Sequence, residues 1–261
     1  MLSFGFLYRV SVQRTRCCKY RKRIVCPRNT CNRQVSTPRM SGINGGIDYT
    51  LDLSVFSPQV QENIVTIQKG VETPRELIET TKKLASYKDE RILPVLVDVL
   101  GFNNPIAAKI ALEAIVNFGV ASKKLLVKAT GAFNYAVNAY ALKALGLLGF
   151  PDTFEICSHH ALHGTVPNVR RAAIIAMGRL HYEETELPSV WESLSSFLSP
   201  KTDWSIRYTA IVSLESLLLR YELQAHNRKA FIDKIGEIAK SDDDLLVRCR
   251  AELALRRVTY A

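Results

Sequence analysis

The sequence predicts an all-α protein, an α-solenoid built from stacked helix pairs. Three observations carry that expectation. One device recurs between Gly101 and Leu180. The segments GFNNPIAAKIALEAIVNFG, GAFNYAVNAYALKALGLLG and PNVRRAAIIAMGRL each run from a tight Asn/Pro turn into an Ala-rich helix. The first two copies align without a gap, Asn104–Gly119 on Asn134–Gly149. The same frame then returns at Ile206–Ala210 and Val247–Ala251. Ala111, Ala141, Ala173, Ala210 and Ala251 thus share one position, at spacings of 30, 32, 37 and 41 residues. Finally, Leu112, Ile115, Leu142, Leu145, Ile174 and Met177 form apolar stripes that no unit can bury alone, so one continuous core along the stack is expected. A helical period of this length marks HEAT-like or armadillo-like helix pairs.

The elements follow in order. Residues 1–45 are rich in Arg and contain no Asp or Glu over positions 1–40, the composition of an organelle transit peptide and not of a secretory signal with its apolar core. Ser41–Gly46 is a short linker, and residues 46–261 form the solenoid. Val55, Phe56, Val60, Ile64 and Ile67 space a short N-terminal capping helix. Thr73 and Glu76 make a capping box for a helix running to about Ser86. Glu90–Leu100 is read as its partner, with Leu93, Leu96 and Leu100 on one face. Asn104 caps the next helix with Pro105 at its first position, and Gly119 and Gly149 suit the residue just past a helix end. Lys123–Thr130, Thr153–Leu162, Glu184–Phe197 and Tyr221–Ala239 are the first helices of the later pairs. Ser241–Asp244 is an acidic cap.

Charge excludes one class of partner. The 261 residues carry a net charge of +10, but ten of the 35 Lys and Arg lie in residues 1–40. The rest of the chain is balanced by its 25 Asp and Glu, so nothing electrostatic argues for nucleic acid binding by the solenoid. No run reaches the roughly 18 to 20 apolar residues of a membrane span. No Ser-His-Asp frame, Gly-rich phosphate loop or dinucleotide fingerprint occurs. Cys26-x4-Cys31 lacks a second pair of zinc ligands. Cys157, His159, His160 and His163 are the densest group of ligand-type side chains. Only His159 and His163 share a face, and without a second cluster the group reads as a polar helix face and not a metal site. Composition alone describes a binding scaffold.

A recurring set remains at the turns before the second helices: Asn103, Asn104, Asn134, Tyr135, Arg170, Arg171, Asp203, Trp204, Arg207 and Tyr208. In a solenoid such positions line one edge or concave surface. Arginines that fork carboxylates, with aromatic rings that stack, suit a flat conjugated ligand bearing carboxylates. The competing reading makes the arginines inter-repeat ion pairs.

From about Glu76 to Leu218 the chain resembles the F-type subunit of the heterodimeric E/F phycobilin lyases. The stretches that carry the resemblance are LGFNNPIAA (Leu100–Ala108), FNYAVNAYALKALGLLGFPD (Phe133–Asp152), NVRRAAIIAMGRL (Asn168–Leu180) and DWSIRYTAIVSLESL (Asp203–Leu217). The resemblance implies a subunit that works with an E-type partner. Together they attach an open-chain tetrapyrrole, typically phycocyanobilin, to a cysteine of a phycobiliprotein α subunit through a thioether. The nucleophile then belongs to the substrate protein, and the bilin is a substrate, with no tightly bound cofactor. Relatives that also isomerise the bilin carry Asn-His-Cys-Gln-Gly-Asn near the first repeat turn. Phe102–Ala107 has neither His nor Cys there, which implies ligation without isomerisation. On this reading Arg170, Arg171 and Arg207 hold propionates, and Tyr135, Trp204 and Tyr208 stack on pyrrole rings. Asn103, Asn104 and Asn134 meet lactam edges, and Asp203 balances a protonated bilin. The basic leader fits a nuclear-encoded, plastid-targeted copy. The alternative is a non-catalytic HEAT-repeat scaffold or chaperone for phycobilisome proteins, one that also serves bilin removal.

Overall fold

A helix with small residues on one side and large apolar residues on the next can be buried from two directions, and several of the described helices are. The computed structural model describes residues 47, 49–70, 73–221 and 225–259, excepting the side chains of residues 225–227. The leader expected over residues 1–45, its cysteines and the linker 41–46 lie outside the described residues. Among the described residues twelve α-helices follow one another: α1 (Pro58–Lys69), α2 (Pro74–Ala85), α3 (Leu93–Val99), α4 (Pro105–Asn117), α5 (Val120–Ala129), α6 (Tyr135–Leu148), α7 (Phe154–His163), α8 (Pro167–Met177), α9 (Leu187–Ser196), α10 (Trp204–Arg220), α11 (Ala225–Ser241) and α12 (Leu245–Thr259). No strand occurs among the described residues.

The even-numbered helices stack on one another from α2 to α12, and each also packs on the odd-numbered helix before it. The result is two helical layers, the all-α solenoid of HEAT-like pairs. The five recurring alanines sit on the even-numbered helices, each fully buried. They leave room for the neighbouring helix, while Ile115, Leu142, Leu145, Ile174 and Met177 fill the space between the layers, all with no exposed surface.

Two expectations are corrected. The helix at Thr73–Ser86 is not the first of a pair with Glu90–Leu100. It is α2, which packs on α1 and stacks directly on α4, while α3 pairs with α4. The sequence misleads because α3 is buried on every side, from Leu93 through Val99 except Pro94. It therefore has no polar face to set its phase. The core is also not one continuous cluster. Its apolar residues form two clusters that meet on α6, with Ala141, Ala144 and Leu145 in one and Leu142 in the other.

The physical reason lies in the crossing of α6 and α8, which is made of backbone. A Cβ on Gly146 would stand 2.6 Å from Ala176 Cα. The two helices touch main chain to main chain at that point, and of the large side chains of α6 Leu142 packs with the α8 cluster while Leu145 packs with the other. Gly149 ends α6 in the left-handed conformation (φ 71°, ψ 23°), as expected. Gly119 also has positive φ (58°), but with ψ −129° it begins α5 instead of closing α4 in the left-handed turn.

Polar ties link the repeats. Arg207, buried at the start of α10, forks onto Asp242 ahead of α12, with Nε to Oδ2 at 2.8 Å and Nη2 to Oδ1 at 2.6 Å. Its Nη1 donates to the Thr202 carbonyl. Burial pushes the Asp242 carboxyl up, but the Arg207 fork and the Asp244 N–H pull it further down, and it ends below the ordinary carboxylate range. Glu215 on α10 accepts from Arg250 on α12, both buried, with the exposed Arg257 3.5 Å away on the other oxygen.

Gly146→Ala is expected to lower stability by about 1–3 kcal/mol, because neither backbone at the contact can yield without moving a helix. Urea titration followed by circular dichroism reads this directly. Arg207→Ala leaves a buried carboxylate unpaired and is expected to cost about 3–5 kcal/mol in the same assay. Asp242 titrates lower when folded than when unfolded. Its stabilisation is therefore present above the unfolded value of about 3.9 and is lost as pH falls through the folded one. Asp242→Asn should accordingly flatten the acid limb of the stability profile below about pH 4.

Candidate functional site

The start of each even-numbered helix leaves N–H groups that its own turns cannot satisfy. Asparagine answers with both ends of its amide. Asn104 Oδ1 accepts from the Ile106 and Ala107 N–H at 3.1 Å, while its Nδ2 donates to Pro74 O, one repeat back. Asn134 does the same, accepting from Ala136 N–H at 2.9 Å and donating to Gly101 O at 3.2 Å. Asp203 caps α10 through the Ser205 N–H and hydroxyl. The Ser205 hydroxyl holds its carboxyl below the ordinary range despite some burial, with smaller contributions from the Ser205 and Ile206 N–H and from Arg171.

These contacts sort the ten residues expected at a site. Asn104, Asn134 and Arg207 are engaged in caps and inter-repeat ties, and Asp203, an exposed residue, caps α10 through Oδ1. Arg170 Nε donates to the Ala161 carbonyl at the end of α7 and belongs with them. Asn103 is exposed at the turn before α4. Trp204 and Tyr208 are exposed on the first turns of α10, and the Arg250 guanidinium lies 6.0 Å from the Tyr208 ring centroid.

Tyr135 and Arg171 come together. They line a groove of about 470 Å³ between α6 and α8, with Tyr140, Lys143, Ile175 and Arg179. Arg171 is steadied by Asn168 Oδ1, and Lys143 Nζ lies 6.0 Å from the Tyr140 ring centroid. Three cations and two phenol rings converge there, and no carboxylate lines the groove. Such a surface can hold a flat anion bearing more than one carboxylate. Sequence reasoning missed Tyr140, Lys143 and Arg179, although their signal was present. Arg171, Ile175 and Arg179 stand four apart, and Ala136, Tyr140 and Lys143 four and three apart, the spacing of residues on one helix face, although Arg179 falls in the turn just after α8.

Elsewhere the chemistry fits such a ligand less well. A groove of about 590 Å³ between α1 and α2 has Glu62, Glu76 and Glu79 on its walls, which oppose an anion. The Cys157 thiol is buried, and burial pushes it up to about 12, so it is no nucleophile near neutrality. His159, His160 and His163 project from α7 into a neighbouring groove. Burial first, and then His159, holds His160 below its ordinary value. Among the described residues, no group of three His, Cys, Asp or Glu is placed to hold a metal ion. No described helix is long and apolar enough to cross a membrane.

Comparison with known proteins identifies the lineage. HEAT repeats match residues 122–215, from α5 into α10. The phycocyanobilin lyase subunit beta of Nostoc sp. is 34% identical over 190 residues, covering 70% of this chain and 92% of that protein. A phycobilisome maturation protein of Synechococcus elongatus is 26% identical over 203 residues, covering 75% of this chain and 96% of the relative. The solved complex of CpcE and CpcF of phycocyanin lyase from Nostoc sp. contains a chain that matches with a TM-score of 0.56 and 32% identity, over 64% of this chain and 99% of that one. These relatives, like those from Thermosynechococcus and Synechocystis, are cyanobacterial. Cyanobacteria have no plastids, so the expectation of a nuclear-encoded plastid protein is corrected: an Arg-rich, acid-free leader is a matter of composition and names no destination. The extent and depth of these matches show that the chain belongs to the HEAT-repeat family of phycocyanobilin lyase subunits.

Proposed function

We propose that this chain is one subunit of a two-chain lyase that attaches phycocyanobilin or a related open-chain tetrapyrrole to a cysteine of a phycobiliprotein α subunit. The observation that carries this reading is the groove between α6 and α8, where Lys143, Arg171 and Arg179 converge beside Tyr135 and Tyr140 without an opposing carboxylate. Two flexible propionates need cations on one side of a flat surface, and the conjugated system needs rings to lie on. The names of the lyase relatives and the two-chain complex of the structural neighbour support the same reading, including an E-type partner.

The chemistry asked of the chain is positioning. The acceptor thiol adds across the exocyclic ethylidene double bond of the bilin. A C–S bond forms to the exocyclic carbon, the double bond becomes single, and the thiol proton ends on the ring carbon. No electrons leave the pair of reactants. The buried Cys157 takes no part, since the nucleophile is the acceptor's. Holding the bilin extended and its propionates fixed converts a bimolecular addition into one within a complex, where orientation alone lowers the barrier substantially. The turn Phe102–Ala107 carries neither His nor Cys, and α4 simply begins there on the Asn104 cap, so we assign ligation without isomerisation.

A second reading, a scaffold or chaperone of phycobilisome proteins, draws on the relative named a phycobilisome maturation protein. Co-expression of the full chain with an E-type partner, phycocyanobilin and a phycocyanin α subunit separates the two. A denaturing gel should show a fluorescent bilin band that requires this chain. Arg171→Ala and Arg179→Ala should each weaken transfer by about 10- to 100-fold, the loss of one or two charge-assisted hydrogen bonds, with helicity unchanged. No band, with the same partner and acceptor competent beside another F-type subunit, would favour the scaffold.

A further inference from the structure

Next to the cationic groove lies another, of about 400 Å³, with a different lining. It is walled by Phe133 and Tyr135 at the turn into α6, by His159, His160 and His163 on α7, and by Asn138 on α6. Tyr135 belongs to both grooves. Three features mark this second groove. Phe133 is 97% exposed, an aromatic ring held almost wholly in water at a turn. Asn138 Oδ1 is buried and meets no donor, although a buried polar atom left unpaired costs free energy. The His159 imidazole lies beside the other two, with ring centroids 5.0 Å from His163 and 5.8 Å from His160, and the three hold no metal site between them.

The lining therefore offers acceptors and ring faces, with no carboxylate or lysine. Its complement is a flat conjugated ring system that carries N–H donors. We infer that this groove is a second ligand subsite, one that receives the N–H-bearing pyrrole rings of a tetrapyrrole whose carboxylates lie in the groove between α6 and α8. Asn138 Oδ1 accepts a ring N–H, Phe133 covers the ring face, and Tyr135 stands where the ligand passes from one groove to the other. The inference rests on the bilin reading above and extends it to residues outside that groove. It also explains why an amide is kept at position 138 with its acceptor unused: the partner arrives with the substrate.

Asn138→Leu tests this, because a structural and a ligand-binding amide predict opposite results. The full chain, co-expressed with its E-type partner, is titrated with free phycocyanobilin by absorbance, and its thermal unfolding is followed without bilin. The expected outcome is an unchanged or higher Tm, since an orphaned buried acceptor is removed, with bilin affinity about tenfold weaker. Phe133→Ala, at a fully exposed ring, should leave Tm unchanged and weaken binding by a similar factor. If both variants bind as the parent does while Arg171→Ala does not, the second subsite is wrong and the lyase reading stands. If the parent binds no phycocyanobilin, both fall. A lower Tm for Asn138→Leu with unaltered binding marks a structural amide and overturns the subsite.

Discussion

Every even-numbered helix of this stack begins at a turn, and each beginning must satisfy its free N–H groups while joining the repeat to the one before. That double demand shapes the molecule. Asparagine meets it with one side chain, since an amide both accepts and donates. Asn104 and Asn134 cap their own helices and reach back to Pro74 and Gly101. In the C-terminal repeats the caps are Asp203 and Asp244, and a carboxylate can only accept. The tie between repeats passes there to arginine, and the buried fork of Arg207 on Asp242 is the outcome. The change of cap from amide to acid thus coincides with the buried ion pair of Arg207 and Asp242 at the start of α10.

The same demand explains what could and could not be read from the amino acids. The repeat frame was legible because the anchoring alanines, the apolar stripes and the caps are local features that recur. The phase of the first pairs was not, because α3 is buried all round and has no polar face. At the site, residue type pointed to arginines and asparagines at the turns, but type does not reveal whether a partner waits in the next repeat. Arg207, Asn104 and Asn134 have such partners, and Arg171 points into a groove. Lys143 lies farther along α6 and Arg179 just past the end of α8, both away from the turns that open these helices. Their spacing was visible, but its meaning appears only once α6 and α8 lie side by side.

The two grooves differ in charge. One side of Tyr135 gathers cations, and the other gathers imidazoles, an amide oxygen and a phenyl ring. A ligand with acidic arms and N–H-bearing rings finds a complement on both sides, whereas a simple dicarboxylate finds it on one. Selectivity of this kind needs no deep cavity. It needs two shallow surfaces of unlike chemistry at a fixed separation.

That separation depends on the contact between Gly146 and Ala176. Side chains can rotate to widen or narrow a cleft, but two main chains in touch are already at their limit. The walls of the groove between α6 and α8 are therefore gauged by peptide backbone, and this part of the solenoid acts as a rigid caliper. The next crossing is gauged in the same way, since a Cβ on Gly178 would stand 2.7 Å from Ser213 Cα, so any bending of the stack falls on crossings other than these two.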